Sequence, residues 1–483
     1  MTSALQAPER GLLFWMKQVV AEAEKASQGL DADPVHDLRV AIRRCRAIGE
    51  GFVALDPYAA WKKMRKGAKP LFSVLGELRD VQVLMEWVQK LAEPDDDDVA
   101  GARLMSYCQQ SEQELKSAAA NELAKFDRDE WMQWADALEQ RTGKIPVGGE
   151  VFQLMALERW EDARRLHAAA LRNRSKLAMH ALRIGIKKFR YIVENFLPEH
   201  HERWKKDLKR LQDLLGEVHD LDVLWDTAKA NRVFQSAEER VRWLESVKRE
   251  RGKRVDEYRK KMVGRDSLWH TWRAELPQGE VLSEATRRFF ETWAFYRDTD
   301  LSHTYRVLEM SFAIYDAVQN ALRVRELESV GVGELLRTAV VVHNVAADKA
   351  KPHKRVQKMV ERMRPPPGWT SEHMKVVGLG ARYQSGKLPG EDNAAYRMLK
   401  RTSRRVVDAI AAVLRLAEAF DADGKGSIPR IEVRVSGGNL VIDAAGYKAR
   451  SKAAERIAAA RHLLESITKM PVVVREMSVP TEG

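Results

Sequence analysis

Cysteine is scarce: Cys45 and Cys108 are the only two in 483 residues, too few for a disulfide framework and without zinc-ligand spacing. Such usage fits a reducing cytoplasm. No apolar run approaches the ~20 residues that a bilayer-spanning helix needs. A signal-peptide pattern is also missing, because Gly11-Leu12-Leu13-Phe14-Trp15-Met16 stops at Lys17 and follows Glu9 and Arg10. Phosphate-loop, nucleophile-elbow and paired-carboxylate signatures are not found. Acidic residues are outnumbered, 70 Asp+Glu against 82 Lys+Arg, which leaves a formal net charge of +12. The expectation is a cytoplasmic protein without membrane attachment whose surplus charge favours a polyanion, although charge alone does not say which one.

What is present in abundance is helical periodicity, and one stretch stands out. In Val35-His36-Asp37-Leu38-Arg39-Val40-Ala41-Ile42-Arg43-Arg44-Cys45-Arg46, His36, Arg39, Arg43 and Arg46 follow a 3-4-3 spacing that stacks them on one helical face. Leu38, Ile42 and Cys45 fall on an adjacent apolar arc that seats the helix on a core. The pattern returns in Met179-His180-Ala181-Leu182-Arg183-Ile184-Gly185-Ile186-Lys187-Lys188-Phe189-Arg190. A second matched pair follows, Leu75-Gly76-Glu77-Leu78-Arg79-Asp80 and Leu215-Gly216-Glu217-Val218-His219-Asp220, so the chain carries an internal duplication. A single basic helical face is usually just solvated. Packing alone would repeat the apolar arc, however, and here the charged positions repeat as well.

Taken in order, residues 1–275 read as all-helical, with repeats at about 1–142 and 150–265 separated by the Gly143, Pro146, Gly148, Gly149 loop. Asp31-Ala32-Asp33-Pro34 caps the basic helix, and Pro70 interrupts or kinks the basic segment that holds Lys62, Lys66 and Lys69. Residues 103–140 read as one helical stretch, and Asp95 to Asp98 as a solvated acidic loop. Lys205, Lys206 and Lys209 echo Arg65, Lys66 and Lys69, while Glu202 stands where Lys62 would recur. Asp80 and Asp220 are expected to partner and orient basic side chains. A domain boundary is placed near Leu276-Pro277-Gln278-Gly279, followed by a helical domain over 280–425 with helices at 282–325 and 332–342. Strand-like alternation at 431–435, 440–442 and 472–475, around a helix at 452–466, predicts a small α+β cap over 426–483.

The basic motif and its partner segment resemble the CHAD family, the conserved histidine α-helical domain, over roughly residues 1–275. The resemblance implies two pseudo-symmetric four-helix bundles whose basic helices line a groove or pore for inorganic polyphosphate, with association to polyphosphate granules and to polyphosphate-metabolising proteins. Carried over by position, the binding set is His36, Arg39, Arg43, Arg44, Arg46, Lys62, Lys66 and Lys69, with His180, Arg183, Lys187, Lys188, Arg190, Lys205, Lys206 and Lys209 in the second copy. Lysine for arginine keeps the charge but loses the bidentate fork.

From residue 282 onward the chain resembles the C-terminal HD-fold region of the exopolyphosphatase and guanosine-pentaphosphate phosphatase family, on His303, His343-Asn344, His353 and Leu414-Arg415-Leu416-Ala417-Glu418-Ala419-Phe420-Asp421. Such folds hold metal with His, a His-Asp pair and a later Asp. Here the pair ends in a neutral amide, and Asp348 has no motif to bring it in. No catalytic residue, metal or cofactor is therefore expected. The leading expectation is non-catalytic polyphosphate binding by a mostly α protein, two duplicated bundles and an HD-like domain with its cap. The rivals are a metal-dependent phosphohydrolase using His303, His343 and Asp421, and a nucleic-acid binder. The last is disfavoured by how few aromatics, Tyr191 chief among them, interleave with the stripes.

Overall fold

Proline, aspartate and serine decide where the helices of the first unit begin. A computed structural model describes residues 11–92, 98–173, 175–328 and 330–477. The chain divides into two compact units, Met1–Gln278 and Gly279–Gly483. The first unit holds α1 (Leu12–Gln28), α2 (Ala32–Val53), α3 (Ala59–Gly67), α4 (Lys69–Leu91), α5 (Val99–Ala124) and α6 (Arg128–Thr142). The second copy follows as α7 (Glu150–Asn173), α8 (Lys176–Phe196), α9 (Pro198–Ala230), α10 (Ala237–Met262) and α11 (Leu268–Glu275). Asp98, Asp127, Ser175 and Ser236 each accept a hydrogen bond from the third backbone N–H of the helix they precede. The Asp127 cap is why the stretch expected as one helix from 103 to 140 is two. Asp95 to Asp97 of the acidic run lie outside the described residues.

The two copies differ at one break. Pro70 sits in the first turn of α4, where its missing N–H costs nothing, so α3 ends at Gly67 and a new helix starts. Arg210 occupies the equivalent place in the second copy, and α9 runs unbroken for 33 residues.

In each bundle the long helices pack in sequence, α1 on α2, α2 on α4 and α4 on α5, then α7 on α8, α8 on α9 and α9 on α10. The copies join where α2 meets α8 and where α4 meets α9 and α10. Aromatic rings fill one end of that junction. Phe52 stacks on Trp61 with centroids 4.8 Å apart, Phe152 stacks on Phe196 at 4.1 Å, and Phe52 meets both at 5.9 Å. Gly51 makes the approach possible, since a Cβ there would stand 2.8 Å from the Phe196 ring. The other end is filled by Leu84, Trp87, Leu104, Cys108, Leu224, Trp225 and Trp243. Each such side chain contributes roughly 2–3 kcal/mol on burial.

The second unit comprises α12 (Gly279–Phe295), α13 (Leu301–Leu322), α14 (Val332–Val342), α15 (Pro352–Glu361), α16 (Ser371–Arg382), α17 (Ala394–Arg397) and α18 (Arg401–Phe420), then β1 (Ile431–Ser436), β2 (Asn439–Ala444), α19 (Lys452–Thr468) and β3 (Val472–Glu476). The helix expected over 282–325 is broken between Phe295 and Leu301, where Asp300 caps α13. α18 is the central helix, packed by α13, α14, α16 and α19. In the sheet β1 runs antiparallel to β2, with Val433 opposite Ile442, and β2 parallel to β3, with Leu440 opposite Val472. Gly437 and Gly438 both take positive φ, which the two-residue β1–β2 turn demands. No helix among the described residues is long and apolar enough to cross a membrane.

Asp56 locks the start of α3 to α6. Its fully buried carboxylate accepts from Trp61 Nε1 at 2.8 Å, Tyr58 N at 3.0 Å and Arg141 Nη2 at 2.7 Å. Burial alone would raise its pKa, but the donors from Arg141, Trp61 and Tyr58 outweigh burial and hold it below the usual range. A carboxyl with a depressed folded pKa stabilises the fold above its unfolded pKa and loses that contribution as pH falls. Asp56→Asn is expected to lower the stability of the first unit by about 2–3 kcal/mol at pH 7. The gap to the parent should narrow below about pH 4 in urea titrations followed by tryptophan fluorescence.

Candidate functional site

The apolar arcs of α2 and α8 are buried through Leu38, Ile42 and Cys45 and through Leu182, Ile186 and Phe189. The neighbouring basic arcs are thereby carried to the α2–α8 contact, one from each copy. Four cations converge there: Arg39 and Arg43 from α2, and their equivalents Arg183 and Lys187 from α8. Burial and then the charges of Arg183, Arg43 and Arg39, opposed only by Asp80, push the Lys187 amine down to about 8. Arg39 is lowered in the same way by burial and by Arg43 and Arg79. Among the described residues none of the four makes an ion pair within 4.0 Å.

Aromatic side chains hold three of them instead. The Arg43 guanidinium lies 5.9 Å from the Tyr191 ring centroid and the Lys187 amine 5.7 Å from it. The Tyr191 hydroxyl is buried without a hydrogen-bond partner. Arg39 stands 5.1 Å over Phe72 and donates to the Phe72 carbonyl at 3.3 Å. Gly76 leaves room for it, since a Cβ would lie 2.8 Å from Arg39 Nη1. Gly216, its counterpart, has open space around it.

Two carboxylates face the same place without touching the cations. Burial raises the Asp80 pKa, with Arg39, Arg183 and Lys187 pulling it back. Burial lifts Asp220 to about 6 against the pull of Arg183, helped by Asp80 and Glu217. Neither makes an ion pair within 4.0 Å among the described residues, so their expected role as direct partners of basic side chains gives way to a longer-range one. His36 lies at the surface, and partial desolvation by its neighbours, then Arg43 and Arg79, lower its pKa. In the second copy His180 Nδ1 lies 3.3 Å from His219 Nδ1, and burial, then Arg183 and His180, push His219 to about 4. Arg79 and His219 were not among the residues singled out from the sequence. They occupy equivalent positions in the second matched segment, which was the available signal.

The remaining basic residues are arranged differently. Arg44 pairs with Glu194 and Arg190 reaches the same carboxylate at 3.5 Å, so one acid quenches both. Arg46 donates to the Arg65 carbonyl at 3.0 Å and stands 5.1 Å over Phe72. Lys62, Lys66 and Lys69 are exposed at α3 and the start of α4, and Lys205, Lys206 and Lys209 along α9, Lys205 paired with Glu202. Lys188 is exposed beside Arg159, Asp162 and Arg165.

In the second unit, His303 of α13 places Nδ1 2.8 Å from Asp421 Oδ2, and His343 at the end of α14 places Nδ1 2.5 Å from the Val340 carbonyl. The side chain that both Nε2 atoms face is Glu418 of α18, at 3.1 and 3.2 Å. Asn344 donates to Asp298 at 2.8 Å. His353, on α15, and Asp348, exposed beside Lys349, are not in the cluster that the described residues form. Glu418 was quoted only as part of a helical motif. An acid inside an apolar run gives no sign that two histidines far along the chain converge on it.

Comparison with known proteins gives a family match in the first unit. Residues 15–229 match the family model of the CHAD domain. A crystal structure of the CHAD domain from the plant Ricinus communis is similar over 55% of this chain and 88% of its own, with 21% identity and a TM-score of 0.37. No curated protein matches.

The field at the α2–α8 contact has a direct readout. In NMR of isotopically labelled lysines, Lys187 is expected to titrate near pH 8. Arg43→Ala should raise that midpoint by removing a like charge, and Asp80→Asn should lower it further. A midpoint unmoved by both changes would show that the four cations do not share one field.

Proposed function

Since residues 15–229 match the family model of the CHAD domain, we propose that this chain binds inorganic polyphosphate, without turning it over, at the cationic seam where α2 meets α8. The observation that carries the reading is the convergence of Arg39, Arg43, Arg183 and Lys187 from both copies with no ion-paired acid among the described residues. Holding like charges together in a partly buried place is unfavourable. The low pKa of Lys187, set first by burial and then by its cationic neighbours, corresponds to roughly 3 kcal/mol of disfavour for its charged form. A chain of phosphates relieves that repulsion along its whole length, and arginine forks match phosphate oxygens. Binding to such a polymer would also carry the protein to polyphosphate deposits in a cell.

Nucleic acid fits less well for a specific reason. A single-stranded nucleic acid gains affinity by stacking bases on open aromatic faces. Here Arg43 and Lys187 lie against Tyr191, and Arg39 and Arg46 against Phe72. Those cations suit a ligand that is all phosphate.

The test is a titration of the full chain with long-chain polyphosphate. Replacing Arg39, Arg43, Arg183 and Lys187 together by Ala should weaken binding at least 100-fold. The slope of log affinity against log salt should fall by about 3, as expected when four cations release counterions from a single-stranded polyanion. Replacing Lys62, Lys66, Lys205 and Lys206 should cost less than tenfold. Affinity should drop above about pH 8, where free Lys187 is neutral, and binding there should take up a proton. Unchanged affinity in the first quadruple variant refutes the site. Displacement of polyphosphate by single-stranded DNA at equal phosphate concentration and fixed salt refutes the ligand.

A further inference from the structure

The geometry of the second unit points to a separate site: we propose that His303, His343 and Glu418 bind one divalent transition-metal ion. Three ligand atoms from three helical elements meet in a triangle. Glu418 Oε2 is 3.1 Å from His303 Nε2 and 3.2 Å from His343 Nε2, and the two nitrogens are 3.4 Å apart. Ligand atoms of a four-coordinate zinc ion with bonds of ~2.0–2.1 Å are separated by about 3.3 Å. A point about 2.1 Å from all three atoms lies about 1 Å off the plane of this triangle.

The hydrogen-bond roles of the imidazoles favour a cation at that point. The Nδ1 atom of His303 faces a carboxylate oxygen of Asp421, and that of His343 faces a backbone carbonyl. Both neighbours only accept, so the ring hydrogens belong on Nδ1, and both Nε2 atoms turn lone pairs toward Glu418. Glu418 Oε2 is buried, and despite its short distances to the two rings the angles give it no hydrogen-bond donor. Three acceptors thus confront one another in the protein interior. An extra proton on one Nε2 satisfies one of the three contacts and leaves the third acceptor facing a lone pair. A metal ion satisfies all three at once.

The surroundings resemble the support that ligating histidines need. Asp421 is fully buried and held by Arg306 Nε at 2.9 Å and Gly426 N at 2.9 Å, which fixes the carboxylate that orients His303. Asn344 and Thr304 are both engaged with Asp298, at 2.8 and 2.6 Å, and so stand outside the ligand set. Two imidazoles and one carboxylate suit zinc, cobalt, manganese or ferrous iron better than magnesium or calcium. Three protein ligands leave a coordination position for water or another ligand, and the Glu418 side chain is 23% exposed, which gives the site an edge toward solvent.

The experiment uses the full chain, stripped with a chelator and titrated with zinc by calorimetry and with cobalt(II) by visible absorption. One zinc per chain is expected, together with cobalt d–d bands that zinc abolishes. Glu418→Gln and His303→Gln should each weaken zinc binding at least 100-fold. Asp421→Asn, which removes only the support of a ligand, should weaken it 10- to 100-fold. Polyphosphate affinity, which belongs to residues of the other unit, should be unchanged in all three, so loss of one binding activity is read separately from loss of the other. Circular dichroism checks each variant for folding. The wild-type cobalt spectrum decides the matter if a variant does not fold. Absence of d–d bands in the wild type, or zinc uptake that survives Glu418→Gln and His303→Gln in folded protein, overturns the assignment.

Discussion

The packing of α2 against α8 is the contact on which the first unit depends, and it is apolar in origin. Phe52, Trp61, Phe152 and Phe196 close one end of the junction between copies, and the cluster around Trp87 and Trp225 closes the other. Those rings bring two basic helices together that electrostatics alone would drive apart. Burying these cations and setting them beside one another costs a few kcal/mol, burial being the larger cause. Burial of half a dozen aromatic side chains exceeds it severalfold. The cationic seam is therefore imposed by the core, and its charges need no acid partner among the described residues because the core does the holding.

Which charges stay available is decided by the acids nearby, and the protein treats neighbouring arginines in opposite ways. Glu194 takes both Arg44 and Arg190. Its equivalent in the first copy, Glu50, instead approaches Arg159 at 3.7 Å. Asp80 and Asp220 stay beyond ion-pair range of the seam and act through the field. Neutralising contacts lie beside the seam and not in it, which a uniformly basic surface would have no reason to arrange.

Much of this could be read from the residues, because a duplication compares the chain with itself. Periodicity located the helices, the repeat of charged positions marked α2 and α8, and alternation found the three strands. What escaped was set by contacts distant in sequence or by single capping residues. Asp127 and Asp300 split helices that periodicity joined, because a side chain capping three residues onward does not disturb an apolar pattern. Arg44 looks the same as Arg43 in sequence, and Glu194, 150 residues away, separates their roles. The seam is also less symmetric than its motifs. Phe72 and Gly76 seat Arg39 against a ring and a carbonyl, whereas Gln212 and Gly216 stand opposite in the second copy, and Gln212 Oε1 is left buried without a partner.

The second unit shows how a cluster of two histidines and an acid can form without a sequence motif that announces it. A motif reader looks for a carboxylate directly after His343 and finds Asn344, whose amide is committed to Asp298. The carboxylate that the geometry supplies comes instead from Glu418, in the last turn of α18 and three residues before Asp421, which caps that helix. Asp421 meets His303 from behind while Glu418 meets both rings in front. Ligand chemistry depends on where oxygen and nitrogen atoms end up, and here acids three residues apart reach opposite edges of one imidazole. A neutral residue at one position of a short motif is consequently a weak argument against a ligand cluster when the helix facing it carries an acid of its own.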